Sequence, residues 1–195
     1  WFTTNRGVSR YDGMTFTTFT TEDGLAYHIV HSIFQDREGR LWFGTENGLS
    51  VYDGQAWTTF TTVDGLNHDY IYSILQDRQG NLWFAHWLGG VSRYDGQVFQ
   101  GLTQEDGLAD NGVRDIFEDL EGNIWFATHG GLTLYRPAAP NPPRVVIDAV
   151  VADRRYEGVS ELSISSSAGL MAFEFWGMSF KTRPDGMVYR YRLVG

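Results

Sequence analysis

The sequence predicts an all-β chain: a partial β-propeller of about three and a half four-stranded blades, followed by part of an immunoglobulin-like β-sandwich. Two observations carry the first half of that reading. Trp1, Trp42, Trp83 and Trp125 each open a near-identical stretch and step by 41, 41 and 42 residues. The Asp-Gly-Leu triplets at Asp23, Asp64 and Asp106 step by 41 and 42. A period of about 40–45 residues holding several short strands is the signature of a propeller. A third observation carries the second half. Four of the five prolines fall within 137–143, and the repeat stops there. The division is therefore blades over 1–136, a stiff proline-rich linker over 137–143, and a partial sandwich over 144–195.

The second copy gives the blade. Its first strand runs from about Ile29 to Gln35 and ends at the turn Asp36-Arg37-Glu38-Gly39, where glycine supplies a positive φ. Arg40–Thr45 follows, then Glu46-Asn47-Gly48, a strong hairpin signal. Leu49–Tyr52 and Ala56–Thr61 complete the meander around Asp53-Gly54. Their threonines and aromatics favour strands. Copy one lacks its first strand and the last copy lacks a clear fourth. Beyond the prolines, alternation in Ala172–Trp176 and Val188–Leu193 reads as sandwich strands. Some 52 residues is short for a sandwich, which usually has about seven strands.

Composition narrows the function. The formal charge is −9, from 15 Lys and Arg against 24 Asp and Glu. Nonspecific nucleic-acid binding needs a basic stripe and is excluded. The chain has no cysteine, so it has no disulfide framework and no thiolate metal site. No apolar run reaches the roughly 18 residues of a membrane helix. The chain opens inside a repeat, which leaves room for a targeting segment upstream.

In a propeller the first strand of each blade is innermost. The second-to-third turns and the blade-to-blade connections share one face, and the other turns share the opposite one. On that second face the copies are near-identical: Asp36, Asp77 and Asp119 each open a turn and cap backbone N–H groups. On the first face they diverge. Tyr27-His28, His68-Asp69 and Asp110-Asn111 stand where the inner strand begins, and further in the copies read His31, Tyr72 and Arg114. The turns read Glu46-Asn47, His86-Trp87-Leu88 and His129-Gly130, with Trp87 assigned to a one-residue insertion. Trp87 either stacks on a ligand or folds back on its own blade. The candidate ligand-binding set is Trp87, His86, Tyr72, Arg114, Asn111 and His129. Trp42, Trp83 and Trp125 are read as packing between blades. No catalytic residue, metal site or cofactor is expected, since no D-x-D-x-D-G loop, H-E-x-x-H pair, nucleophile elbow or phosphate loop occurs.

The motif Leu-Trp-Phe-Gly-Thr followed by Gly-Leu-x-x-Tyr-Asp-Gly resembles the two-component regulator propeller repeat. The segment ending Tyr189-Arg190-Tyr191-Arg192-Leu193 resembles the triple-tyrosine domain that follows such propellers, with Phe180 where an earlier tyrosine is expected. The resemblance implies the periplasmic sensory part of a membrane-spanning sensor, typically a hybrid histidine kinase. Such parts often bind carbohydrate breakdown products, and the kinase and membrane segments lie outside this chain. The expected partners are a small-molecule or oligosaccharide ligand and a second copy of the chain: an open blade stack leaves apolar faces uncovered, so either missing repeats upstream complete a ring of about seven blades or the chain associates with a copy of itself. Two rivals stand beside this reading: a streptogramin-lyase-type enzyme using His86, His129 and Glu46, and a protein-binding scaffold.

Overall fold

The computed structural model describes residues 1–137, 144–151, 155–157 and 172–178. Fourteen strands of the first part form four antiparallel meanders. β1 (Phe2–Thr4), β2 (Gly7–Tyr11) and β3 (Phe16–Phe19) make a three-stranded sheet. β4 (Val30–Gln35), β5 (Leu41–Thr45), β6 (Gly48–Tyr52) and β7 (Trp57–Phe60) make a complete blade in sequential order. The same order holds for β8 (Ile71–Gln76), β9 (Leu82–His86), β10 (Val91–Tyr94) and β11 (Phe99–Leu102). A three-stranded sheet of β12 (Val113–Glu118), β13 (Ile124–Thr128) and β14 (Gly131–Tyr135) follows. The first sheet lacks an inner strand and the fourth lacks an outer one, as the repeat predicts.

Each blade-to-blade connection contains a short 3-10 turn that the strand pattern does not announce. Thr20, Thr61 and Thr103 cap these turns in capping boxes closed by Asp23, Asp64 and Asp106. The Thr-x-x-Asp spacing that writes such a box was legible in the sequence.

Apolar clusters between neighbouring blades form the core. Trp42 is fully buried, 5.7 Å from the Phe84 ring of the next blade, within a cluster that includes Leu49, Ile71 and Leu82. Trp83 repeats this arrangement one blade on, 5.6 Å from Phe126 and 5.3 Å from Tyr135. Trp42 and Trp83 thus pack between blades, whereas Trp125, on the last sheet, is only partly buried. Where the stack ends the equivalent surfaces are open: Phe2, Tyr11 and Phe16 on one side, Phe117 and Leu132 on the other.

A second compact unit spans Ala138–Gly195. Its described strands are β15 (Arg144–Val151), β16 (Arg155–Glu157) and β17 (Ala172–Met178), an antiparallel sheet with β15 in the middle. A register shift interrupts β15 between Ile147 and Ala149. The expected strand Val188–Leu193, the tyrosine-rich end with Phe180, and linker residues 138–143 lie outside the described residues.

Candidate ligand-binding face

Three β-bulges build this face. The inner strands β4, β8 and β12 shift register against their partners between Val30 and Ser32, Ile71 and Ser73, and Val113 and Asp115. The extra residues are His31, Tyr72 and Arg114, the position at which the copies diverge. A bulge leaves its extra residue unpaired and re-aims it, a common device beside binding sites. The signal lay in the spacing of apolar residues. Ile71 with Ile74, and Val113 with Ile116, are buried three apart, which strict alternation forbids.

The second contribution comes from the turns after β5, β9 and β13. The backbone N–H groups of Glu46, Trp87 and His129 donate to the carbonyls of Ile29, Tyr70 and Gly112, so these three residues are equivalent. Trp87 is therefore a regular repeat position, which corrects its assignment to an insertion. The extra residue lies in Leu88-Gly89 instead. At the end of that loop Gly90 has φ 72°, and a Cβ there would run into the Leu102 carbonyl, so glycine is required.

Bulges and turns together form one continuous cluster. The Trp87 ring lies 5.5 Å from Tyr72 and 6.1 Å from Tyr70 on its own blade, and 5.2 Å from His129 on the next. The Arg114 guanidinium sits 4.5 Å from both the Tyr72 and Trp87 ring centroids, and its Nε donates to His129 Nε2 at 2.9 Å. At the other end, Glu46 Oε1 accepts from the Tyr70 hydroxyl at 2.9 Å and meets His31 Nε2 at 3.2 Å. The His31 ring stacks on Tyr70 at 5.0 Å. Burial, then hydrogen bonding with Tyr72 and Glu46, pushes the Tyr70 hydroxyl well above the usual phenol range. It stays protonated and keeps donating to Glu46.

Four of the six expected residues meet here: Trp87, Tyr72, Arg114 and His129. Trp87 folds back on Tyr70 and Tyr72 of its own blade and also bridges to His129 and Arg114 of the next. His86 is corrected. It ends β9 with its ring fully buried, where the other blades carry Thr45 and Thr128, and its Nε2 bonds Ser92 Oγ at 2.7 Å. Burial, then the charge of nearby His68, lowers its pKa to about 3. Asn111 is engaged at the blade-to-blade connection. Its Oδ1 accepts from the Gln104 N–H at 2.7 Å and clamps the 3-10 turn, as Asp69 does for Thr62. Tyr70 joins the cluster without having been singled out, because nothing in the pattern of strand starts announces its contact with Glu46.

The opposite face is more than repeated turns. Each opening aspartate also accepts from the indole N–H of its blade's tryptophan: Asp36 from Trp42 at 2.7 Å, Asp77 from Trp83 at 2.8 Å, Asp119 from Trp125 at 2.9 Å. The bonds that Asp119 accepts, from Asn123 first and then Trp125, bring its carboxyl down to about 2. Arginine latches tie neighbouring blades there. Arg37 donates to the Asp77 and Arg78 carbonyls, and Arg78 donates to those of Asp119 and Leu120.

Residues 24–47, 65–88 and 107–130 match the family described as two component regulator propeller. The chain carries two-component regulator propeller repeats. Each matched segment begins at the glycine after a 3-10 turn and ends inside the turn that carries Glu46, Trp87 or His129. These propeller repeats also have structural counterparts. One is the extracellular domain of BT3049 from B. thetaiotaomicron, described as a hybrid two component system, with TM-score 0.59 and 21% identity over 80% of this chain. Another is the extracellular domain of BT4673 from the same organism, with TM-score 0.62 and 20% identity over 89% of this chain. The chain spans 22% and 29% of the lengths of those two structures. A streptogramin B lyase superposes with a TM-score of 0.39, too low to argue from. No curated protein matches the chain in sequence. Among the described residues no group of three His, Asp or Glu side chains could hold a metal ion, and no helix is long and apolar enough to cross a membrane.

Proposed function

We propose that this chain is the extracytoplasmic, ligand-sensing module of a two-component signal transduction sensor, and that it recognises a carbohydrate or other small polar ligand. One observation carries the reading: the positions at which the repeats differ, Tyr72, Arg114, Glu46, Trp87 and His129, meet in a single aromatic and charged cluster at the bulged inner strands. Aromatic rings beside a few polar groups suit a polar ring ligand. The repeat family and the extracellular origin of the similar structures support the sensor role. Binding acts by favouring one of two packings of the module, in proportion to its differential affinity for them.

The role is binding rather than catalysis. A lyase reading asks His86, His129 and Glu46 to exchange protons with substrate. His86 is buried, the Nε2 of His129 is engaged by Arg114, and Glu46 is held by Tyr70 and His31. Isothermal titration of the chain against a panel of oligosaccharides tests the reading. Saturable binding by at least one member, lost in Trp87→Ala, is expected. Retention of a protein on this face, with no sugar bound, would put the scaffold role in its place.

A further inference from the structure

The cluster is polarised, and its two ends have different chemistry. At one end Arg114 is held in three ways: Tyr72 and Trp87 each face its guanidinium at 4.5 Å, and His129 Nε2 accepts from its Nε. Among the described residues its two Nη groups have no hydrogen-bond partner, and no carboxylate forms an ion pair with it. That is notable in a chain with 24 acidic and 15 basic residues. The carboxylate next to it in sequence, Asp115, is already engaged: its Oδ1 accepts from the Ser73 hydroxyl at 2.7 Å and the Ile116 N–H at 2.9 Å. A guanidinium oriented by two rings, with its terminal nitrogens unpaired, is a fork pre-set for the paired oxygens of a carboxylate or sulfate. At the other end Glu46 uses one oxygen for Tyr70 and His31. Its second oxygen can accept from hydroxyl groups.

We infer that the face selects a ligand whose ring carries an anionic group, a carboxylate or a sulfate, bound by Arg114, with its neutral hydroxyls turned toward Glu46. The inference rests on the proposed ligand-binding role and deepens it by naming the class. The aromatic rings of Tyr70, Tyr72 and Trp87 link the two ends in one run of contacts.

Matched probes test it on the full chain by isothermal titration: a galacturonate trimer against the galactose trimer of the same linkage, and N-acetylglucosamine with and without a sulfate group. The charged member of at least one pair should bind about tenfold or more tighter than its neutral partner. Added salt should shrink that margin. Arg114→Gln should abolish the margin, bringing the charged member of the pair down to the affinity of its neutral partner, and Arg114→Lys should retain part of it. Equal binding within both pairs, or a margin that survives Arg114→Gln, overturns this inference and leaves the sugar-binding face standing. No binding by any of the four probes overturns both.

Discussion

The two faces of the blade stack use the same repeat positions for opposite ends. On the turn face, Asp36, Asp77 and Asp119 make one bond pattern three times over, each to its own tryptophan, and Arg37 and Arg78 latch successive blades. On the bulge face, equivalent positions carry His31, Tyr72 and Arg114, then Glu46, Trp87 and His129, and no two copies agree. The shared scaffold holds the backbone in register, so side chains at the bulges can vary without altering the blade. Repetition marks the residues that hold the fold, and divergence marks those available for recognition.

The comparison breaks first where the repeated chemistry is removed. Trp83→Ala should cost about 3–5 kcal/mol, the range for large aromatic truncations in a core, because Trp83 is buried between two blades. Chemical denaturation measures it, and an unchanged midpoint would contradict the inter-blade core. Asp77→Ala comes next. Its carboxylate accepts from the Asn81 N–H, Asn81 Nδ2 and Trp83 Nε1, all at 2.8 Å. Leaving those buried donors unpaired should cost roughly 2–4 kcal/mol.

His86 gives a pH dependence of known sign. Its folded pKa of about 3 lies below the ordinary histidine value of 6.5. Above that value the ring is neutral in both states and contributes nothing. As pH falls, the unfolded chain takes up the proton first, so stability declines from about pH 6.5 toward pH 3 at ~1.4 kcal/mol per unit. Between pH 7 and pH 5 the loss is about 2 kcal/mol. His86→Thr, the residue of the other blades, should flatten that part of the pH profile. A smaller effect is expected at Arg114→Ala: its cation–π contacts at an exposed site are worth about 0.5–1 kcal/mol. A drop of several kcal/mol would mean that the bulge face also holds the fold together.

Much of this was legible in the sequence, because a repeat writes each element several times. Trp42, Trp83 and Trp125 gave the blade period, and the Asp-Gly and Asn-Gly pairs placed the turns. Convergence of Tyr72, Trp87, Arg114 and His129 followed from strand order alone. Other features needed coordinates. His86 looks like a loop residue by adjacency to Trp87, yet β9 runs one residue further and buries it. Asn111 reads as a free polar group, but its distance from Gln104 is set by how the connection folds. The arginine latches join residues about forty apart, a separation at which sequence says nothing of contact.

The open blade faces sharpen the comparison from another side. Phe2 and Phe16 at one end, and Phe117 and Leu132 at the other, are each more than half exposed. Contiguous apolar surface of this kind favours association. Sedimentation velocity should therefore show a dimer or larger species whose share rises with concentration, and a monomer across that range would count against it.

The most direct measurement pairs one substitution from each face, Trp87→Ala and Asp77→Ala, with melting temperature and ligand titration recorded for both. Trp87→Ala should lower affinity at least about tenfold while the melt moves little. Asp77→Ala should lower the melt by many degrees and leave affinity, read below the transition, unchanged. Parental affinity in Trp87→Ala, or an affinity loss in Asp77→Ala without a change in melting, would contradict the division between the two faces.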